Sequence, residues 1–315
     1  MSAAFRSVGV VLFVAACGAA STDHQPSTRR QPDAVPAVVC EGLAVQVLGS
    51  GGPRSSGGRV SSGYLVWRDG RARFLVDAGP GVTHRLNASG ASVRDLDAVF
   101  ISHLHVDHSA DLVALLKMAS FGSRQRSLAL FGPHGSDRFP AIDDFVAAQI
   151  GPSGAYPYLG GFLTRGQPFV LDTRRVAGSQ AELVFESGDD RVRAIAVAHG
   201  PVPALAYDVD LGGRRVAFMG DQRADDPRYV DMIRGADVLI AHMAIPERSP
   251  GVAAQLHAPP GRLGRVAEEA GVGAMVISHV MQRSLVNLDE NLAAIREHYA
   301  GTLVVADDLD CFSLD

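Results

Sequence analysis

Phe100-Ile101-Ser102-His103-Leu104-His105-Val106-Asp107-His108-Ser109 sets three imidazoles and a carboxylate within six residues, directly after the apolar run 98–101. Side chains alternate across a strand with period two, so His103 and His105 at a strand end are expected to point the same way, with Asp107 and His108 in the turn beyond. Imidazole nitrogen and carboxylate oxygen suit zinc. Four such ligands this close exceed what one open catalytic zinc takes from protein, so the stretch predicts two adjacent metals. The alternative, a polar loop that happens to be histidine-rich, sits poorly between an apolar strand pattern and an amphipathic helix pattern.

Working outward, short apolar runs separated by turn residues read as strands at 43–48, 64–67, 73–76 and 98–101, followed by a helix at 111–120, a strand at 127–131 and a helix at 139–150. The Gly-, Pro- and Tyr-containing stretch 151–166 is irregular and is expected to overhang a site and touch substrate. Strand patterns return at 169–171, 182–185, 194–198, 205–209 and 216–219, then at 238–240, 275–277 and 303–305, the last three alternating with helices near 227–234, 260–270 and 287–299. This order predicts two mixed β-sheets flanked by helices, one sheet from each half. His199, Asp221 and His279 each follow an apolar strand at its C-terminal end, as the first motif does. A site built along one edge of packed sheets requires that repetition, whereas scattered surface histidines would not produce it.

With 47% hydrophobic and 20% charged residues in 315, the chain can bury a sizeable core. A net charge of −5 and the lack of a Lys/Arg block argue against nucleic acid as the main partner. Arg6 precedes the apolar stretch 8–16, too short to span a bilayer, and Val14-Ala15-Ala16-Cys17 looks like a bacterial lipobox. The expected organisation is therefore a signal segment 1–17 ending at a lipid-carrying Cys17, a disordered tether 18–37, and a catalytic domain 38–315. An ordinary secretory signal cut nearby is the alternative. Either reading exports the protein to the periplasm or cell envelope. Cys40 and Cys311 remain, and an oxidising compartment would allow them to pair and staple the chain ends, or they stay as buried free thiols.

Together with His-x-His-x-Asp-His, the loop Gly49-Ser-Gly-Gly-Pro53, Ser61-Ser-Gly-Tyr-Leu65, Phe74-Leu-Val-Asp77-Ala-Gly79, His199 with Pro201, and Gly220-Asp221 make the chain from about Leu43 onward resemble the metallo-β-lactamase superfamily. Within it the resemblance is to the branch of ribonuclease Z and related phosphodiesterases and arylsulfatases. The resemblance implies an α/β, four-layer αββα sandwich. It implies that His103, His105 and His199 hold one metal, that Asp107, His108 and His279 hold the second, and that Asp221 bridges them. Two zinc ions are expected, with manganese or iron as alternatives. Paired cations would lower the pKa of a shared water and stabilise charge developing on the scissile group, with Asp107 counted among the catalytic residues. Asp77 resembles a carboxylate that orients a ligating imidazole; the alternative is a turn former at a strand end.

The resemblance also implies a leaving-group acid at His257, normally supported by a glutamate after an upstream strand. Here that strand, 236–241, leads to His242 instead, so His257 is a candidate acid without the usual carboxylate partner and His242 a pocket residue. His24, His84, His134 and His298 match no motif position. Members that mature transfer RNA carry an added flexible arm, and no comparable basic insertion is evident, which argues against that activity. The resulting expectation is an exported hydrolase of a small anionic ester, foremost a phosphodiester, with lactone and arylsulfate hydrolysis as alternatives of the same fold. A metal-containing binding module without catalysis is the alternative of another class. Oligomeric state stays open, a homodimer included.

Overall fold

The computed structural model describes residues 39–164 and 169–315. The signal segment 1–17 and tether 18–37 expected above lie outside them. Fourteen strands are present among the described residues: β1 (Leu43–Gly49), β2 (Gly63–Arg68), β3 (Arg71–Val76), β4 (Ala98–Phe100), β5 (Leu128–Pro133), β6 (Leu171–Val176), β7 (Glu182–Ser187), β8 (Asp190–His199), β9 (Val202–Leu211), β10 (Arg214–Phe218), β11 (Val238–His242), β12 (Ala274–Ser278), β13 (Thr302–Val305) and β14 (Cys311–Ser313). The helices are α1 (Val82–Ala88), α2 (Val106–Ser109), α3 (Leu112–Ala119), α4 (Ile142–Ile150), α5 (Gly161–Thr164), α6 (Pro227–Ile233), α7 (Val252–Leu256), α8 (Pro260–Ala270), α9 (Gln282–Leu285) and α10 (Leu288–Arg296). No helix among the described residues is long and apolar enough to cross a membrane.

The strands form two seven-stranded sheets, ordered β14-β1-β2-β3-β4-β5-β6 and β13-β12-β11-β10-β9-β8-β7. Both are mixed. In the first, β14, β1, β2 and β3 pair antiparallel and β3 to β6 parallel. In the second, β7 to β10 pair antiparallel and β10 to β13 parallel.

The layering follows from alternation in strands buried on both faces, which read as near-continuous apolar runs. In β2, Tyr64 and Val66 face the space between the sheets while Leu65 and Trp67 face outward to the helices. Three apolar clusters result. The central one joins Val45, Tyr64, Phe74, Phe100 and Phe131 of the first sheet to Leu205, Tyr207, Val216, Phe218 and Ile240 of the second. A second lies under α1, α3 and α4, and a third under α6, α8 and α10. Three filled interfaces need four layers, so the αββα sandwich expected from the sequence is what the chain builds. Phe100 stacks on Phe131 with centroids 5.0 Å apart and meets Phe74 edge-on at 5.7 Å, so the strand that leads into the histidine motif is fixed by aromatic packing.

The two ends of the described domain are tied together. Cys311 in β14 pairs opposite Gln46 of β1 and is bonded to Cys40, with Cα atoms 5.9 Å apart across 271 residues of sequence. Of the two states left open for these thiols, the structure holds the disulfide. Sequence placed a strand at 169–171, but β6 runs over Leu171–Val176 because its pairing with β5 extends to Pro133 and Val176. The described part of 151–166 is irregular up to a short 3-10 turn at Pro157–Leu159 and is tied at its start to α4. It turns back on α4, with Ala155 N donating to Ala148 O at 3.1 Å and Tyr156 N to Gln149 O at 2.6 Å.

Candidate metal centre

At one end of the two sheets the chain brings together every ligand-type residue picked out by the sequence. β4 stops at Phe100, so His103 and His105 stand in the loop beyond it rather than on a pleat. Strand alternation is thus the wrong reason for their agreement. Ile101 N donates to Phe131 O at 2.8 Å, which holds the loop to β5, and His105 then sits at the N-terminus of α2. Asp107 and His108 fall in that helix's single turn, both buried. His199 is the last residue of β8 and His242 the last of β11; Asp221 lies just past β10 and His279 just past β12.

Asp77 and His279 both take positive φ, 59° and 52°, a region that L residues rarely occupy and that clusters at functional sites. Glycines let neighbouring backbone close in. A Cβ on Gly52 would come within 2.8 Å of the His279 ring, and one on Gly79 within 2.0 Å of the Asp107 carbonyl oxygen.

Two groupings divide the predicted ligands, and a third of Asp221, His242 and His279 overlaps both. His103, His105, His199 and Asp221 form one, and Asp107, His108 and His279 another; within each, one potential ligand atom per residue lies within 4.8 Å of all the others. His105 Nδ1 is 3.0 Å from His103 Nε2 and 3.3 Å from His199 Nε2. His279 Nε2 is 3.2 Å from Asp107 Oδ2, and His108 Nε2 is 3.6 Å from the same oxygen. Ligands at about 2.0–2.1 Å from a tetrahedral ion stand about 3.3 Å apart, which these separations match. Asp221 belongs to both neighbourhoods. Its Oδ2 lies 4.0 Å from His103 Nε2 and 3.9 Å from His199 Nε2, while the carboxylate is 3.6 Å from His108 Nε2 and 3.5 Å from His279 Nε2.

The far sides of His108, His199 and His242 are held by hydrogen bonds. Asp77 accepts from Ser102 N at 2.7 Å, from Ser102 Oγ at 2.8 Å and from His108 Nδ1 at 2.7 Å. That fixes His108 with its proton on Nδ1 and leaves Nε2 buried without a hydrogen-bond partner, facing Asp107 and Asp221. An orphaned buried nitrogen aimed between two carboxylates is the signature of a cation position. His199 Nδ1 donates to Leu256 O at 2.9 Å, freeing its Nε2 in the same way. His242 Nδ1 donates to Asp221 Oδ1 at 2.8 Å, and its Nε2 lies 2.9 Å from the Tyr64 hydroxyl, which is in turn 3.0 Å from Ser278 Oγ. His242 therefore reaches the centre through the shared carboxylate.

Burial pushes His103 well below the usual histidine range, aided by the neighbouring His108, and lowers His105 as well. Burial would raise the Asp221 carboxyl, but His279 and His108 outweigh it and hold it well below the carboxylate range. Burial likewise opposes charge on His108, yet Asp77 and Asp221 together raise it. Burial brings His257 down to about 4, so it is neutral near pH 7. Its Nδ1 lies 3.7 Å from Asp221 Oδ2 and its side chain, 11% exposed, makes no hydrogen bond among the described residues. His105 is half-buried and Val106 beside it 70% exposed, so the centre opens to solvent on that side. His84 and His134 are exposed and belong to neither grouping; His24 lies outside the described residues.

A two-sheet sandwich with a His/Asp cluster at one end defines a metal-dependent hydrolase. The profile of the beta-lactamase superfamily domain matches residues 72–280. The chain belongs to the metallo-β-lactamase superfamily, in its ribonuclease Z and phosphodiesterase-like branch. It is 30% identical over 308 residues to Ribonuclease Z of Pseudomonas putida, covering 84% of this chain and 94% of that one. To Ribonuclease Z of Methanosarcina acetivorans it is 24% identical over 300 residues, covering 85% and 96%. Among solved structures, the fold matches the metallo-beta-lactamase fold protein YhfI of Bacillus subtilis with a TM-score of 0.68 at 22% identity, covering 87% and 100% of the two chains. It matches human tRNase Z, short form, with a TM-score of 0.66 at 20% identity, covering 86% and 99%. The chain is thus a metal-dependent hydrolase of this superfamily.

These relatives overturn two expectations. A small anionic ester as substrate, with its lactone, arylsulfate and binding-module alternatives, gives way to the nuclease chemistry that the relatives' names carry. The argument against nucleic acid from a net charge of −5 fails with it. That charge is a sum over the whole surface, whereas a polyanion responds to the field beside the site, to which bound cations and local arginines contribute. Sequence reasoning missed Tyr64 and Ser102 as bracing groups, although both lie inside motifs it quoted; their roles depend on partners distant in the chain.

Proposed function

We propose that this chain is a zinc-dependent ribonuclease that hydrolyses a phosphodiester of RNA with two ions held side by side. The observation that carries the reading is the Asp221 carboxylate within 4.0 Å of imidazoles from both ligand groupings, in a chain 30% identical to a Ribonuclease Z over most of its length. In this reading His103, His105 and His199 hold one ion, Asp107, His108 and His279 the other, and Asp221 both. When bound, such a pair supplies Lewis acidity toward a phosphoryl oxygen and lowers the pKa of water between the ions.

The protein's own part is positional. Asp77, Ser102 and the Leu256 carbonyl fix imidazole tautomers, so that the nitrogens facing the centre carry lone pairs. His242, braced by Tyr64, orients Asp221. In this reading His257, whose Nδ1 lies 3.7 Å from Asp221 Oδ2, hydrogen-bonds the leaving oxygen. Its neutral state gives it an N–H to donate but no spare proton, so transfer of a proton to the leaving group requires His257 to be charged by the arriving substrate or a proton from solvent.

The test is cleavage of a labelled RNA oligonucleotide by the purified protein. Activity abolished by a chelator and restored by zinc supports the reading; a zinc-loaded protein that leaves RNA intact overturns it. We infer separately that the domain matures in an oxidising compartment, on the strength of the Cys40–Cys311 bond. Alkylation of free thiols in fractionated cells tests this: protection in the envelope fraction supports it, and reduced protein in the cytoplasm contradicts it.

A further inference from the structure

Arg262 carries a guanidinium without any hydrogen bond or ion pair among the described residues. It lies in the first turn of α8 and is half-buried, lining a cavity of about 270 Å³ whose wall also includes His257, Arg223, Asp225, Glu247 and Ser249. The other charges of this cavity are engaged. Arg223 Nη2 pairs with Asp225 Oδ2 at 2.7 Å. Glu247 Oε2 accepts from Gly261 N at 2.6 Å at the start of α8, and its own N donates to Asn291 Oδ1 at 3.0 Å. Among the described residues Arg262 is left as the cation of this cavity with no hydrogen bond or ion pair, Glu247 being its other charge without an ion pair, and the cavity shares His257 with the metal centre. His257 Nδ1 is 3.7 Å from Asp221 Oδ2, so the cavity begins where the centre ends.

A guanidinium that lines a cavity without a protein partner is free to meet an anion there, and its planar fork matches two oxygens of a phosphate. We propose that this cavity is a second phosphate subsite, in which Arg262 binds the phosphodiester next to the scissile one, on the strand that carries the leaving oxygen. The proposal rests on the RNA reading above. It adds that the enzyme takes a polymer, because a substrate with one phosphodiester leaves the subsite empty.

Steady-state kinetics of the zinc-loaded wild type and Arg262→Gln on a ribodinucleoside monophosphate and on a hexaribonucleotide test it. For the hexanucleotide, the substitution should raise KM by about tenfold with kcat within about twofold, the loss of one charge-assisted contact. The slope of log KM against log salt should fall by about 0.7, the share of one phosphate on a single strand. The dinucleoside's constants should not change, and Arg262→Lys should keep the wild-type salt slope. Equal effects on both substrates, or none on either, overturn the subsite while leaving the ribonuclease reading in place. A wild type that cleaves neither RNA overturns both.

Discussion

Asp77→Asn isolates the step that prepares the second metal grouping. In the wild type, Asp77 receives three hydrogen bonds of 2.7–2.8 Å from Ser102 N, Ser102 Oγ and His108 Nδ1. Asparagine is isosteric and tolerates the positive φ of 59° at this position. Its carbonyl can still accept from Ser102 N, but its amide then turns a donor toward His108. The imidazole answers by exposing a lone pair at Nδ1 and carrying its proton on Nε2, the atom that faces Asp107 and Asp221. Losing a hydrogen bond to a charged group costs about 1.5–3 kcal/mol. Through the tautomer, that becomes about a 10- to 100-fold loss of metal affinity. Elemental analysis after dialysis against graded chelator reads it directly: one equivalent should leave well before the wild type loses either. A thermal melt controls for folding. Two equivalents retained at wild-type affinity by a folded Asp77→Asn protein would refute the tautomer argument.

Four further outcomes follow from the same structure. Asp221→Ala removes the shared ligand and should lower RNA cleavage by about 10³-fold or more, with circular dichroism unchanged; activity within tenfold of wild type would remove its bridging role. Tyr64→Phe frees His242 Nε2 of its partner and should destabilise the protein by about 1 kcal/mol in a denaturant titration, with a smaller loss of metal affinity than Asp77→Asn. Replacing Cys40 and Cys311 by serine opens a constraint spanning 271 residues and should cost about 2–5 kcal/mol, read in the same way. Burial holds His242 and His257 at about 4, so between the ordinary histidine value near 6.5 and pH 4 the unfolded chain binds protons that the folded chain refuses. The stabilisation is complete above pH 6.5 and is lost as pH falls, so the metal-free protein's Tm should drop by about 5–10 °C between pH 6.5 and 4.5. The raised His108 acts in the opposite sense, its contribution being full below pH 6.5 and lost only at higher pH. A Tm that rises on acidification would contradict the assignment.

The sandwich was legible because strands buried on both faces leave long apolar runs, and because each ligand residue follows such a run. What escaped the sequence is the path between strand and site. His103 and His105 converge through a loop anchored by Ile101 and Phe131, and no periodicity reports that anchor. Composition gave no sign that Ala155 and Tyr156 return hydrogen bonds to the end of α4. Short helices such as α2 and α7 carry too few turns to show a pattern, although α7 sets the Leu256 carbonyl that holds His199. Charge misled for a related reason. Arg262 stands out only when its neighbours' partners are known, since Arg223 and Glu247 look equally free in one dimension.

The central claim is that Asp221 stands between two divalent ions. Anomalous diffraction from crystals of the purified protein, recorded on either side of the zinc edge, addresses it without reference to any substrate. The account predicts two peaks about 3.5–4 Å apart on either side of the Asp221 carboxylate, one among His103, His105 and His199 and the other among Asp107, His108 and His279. A single peak, or density away from these side chains in fully loaded protein, would contradict it.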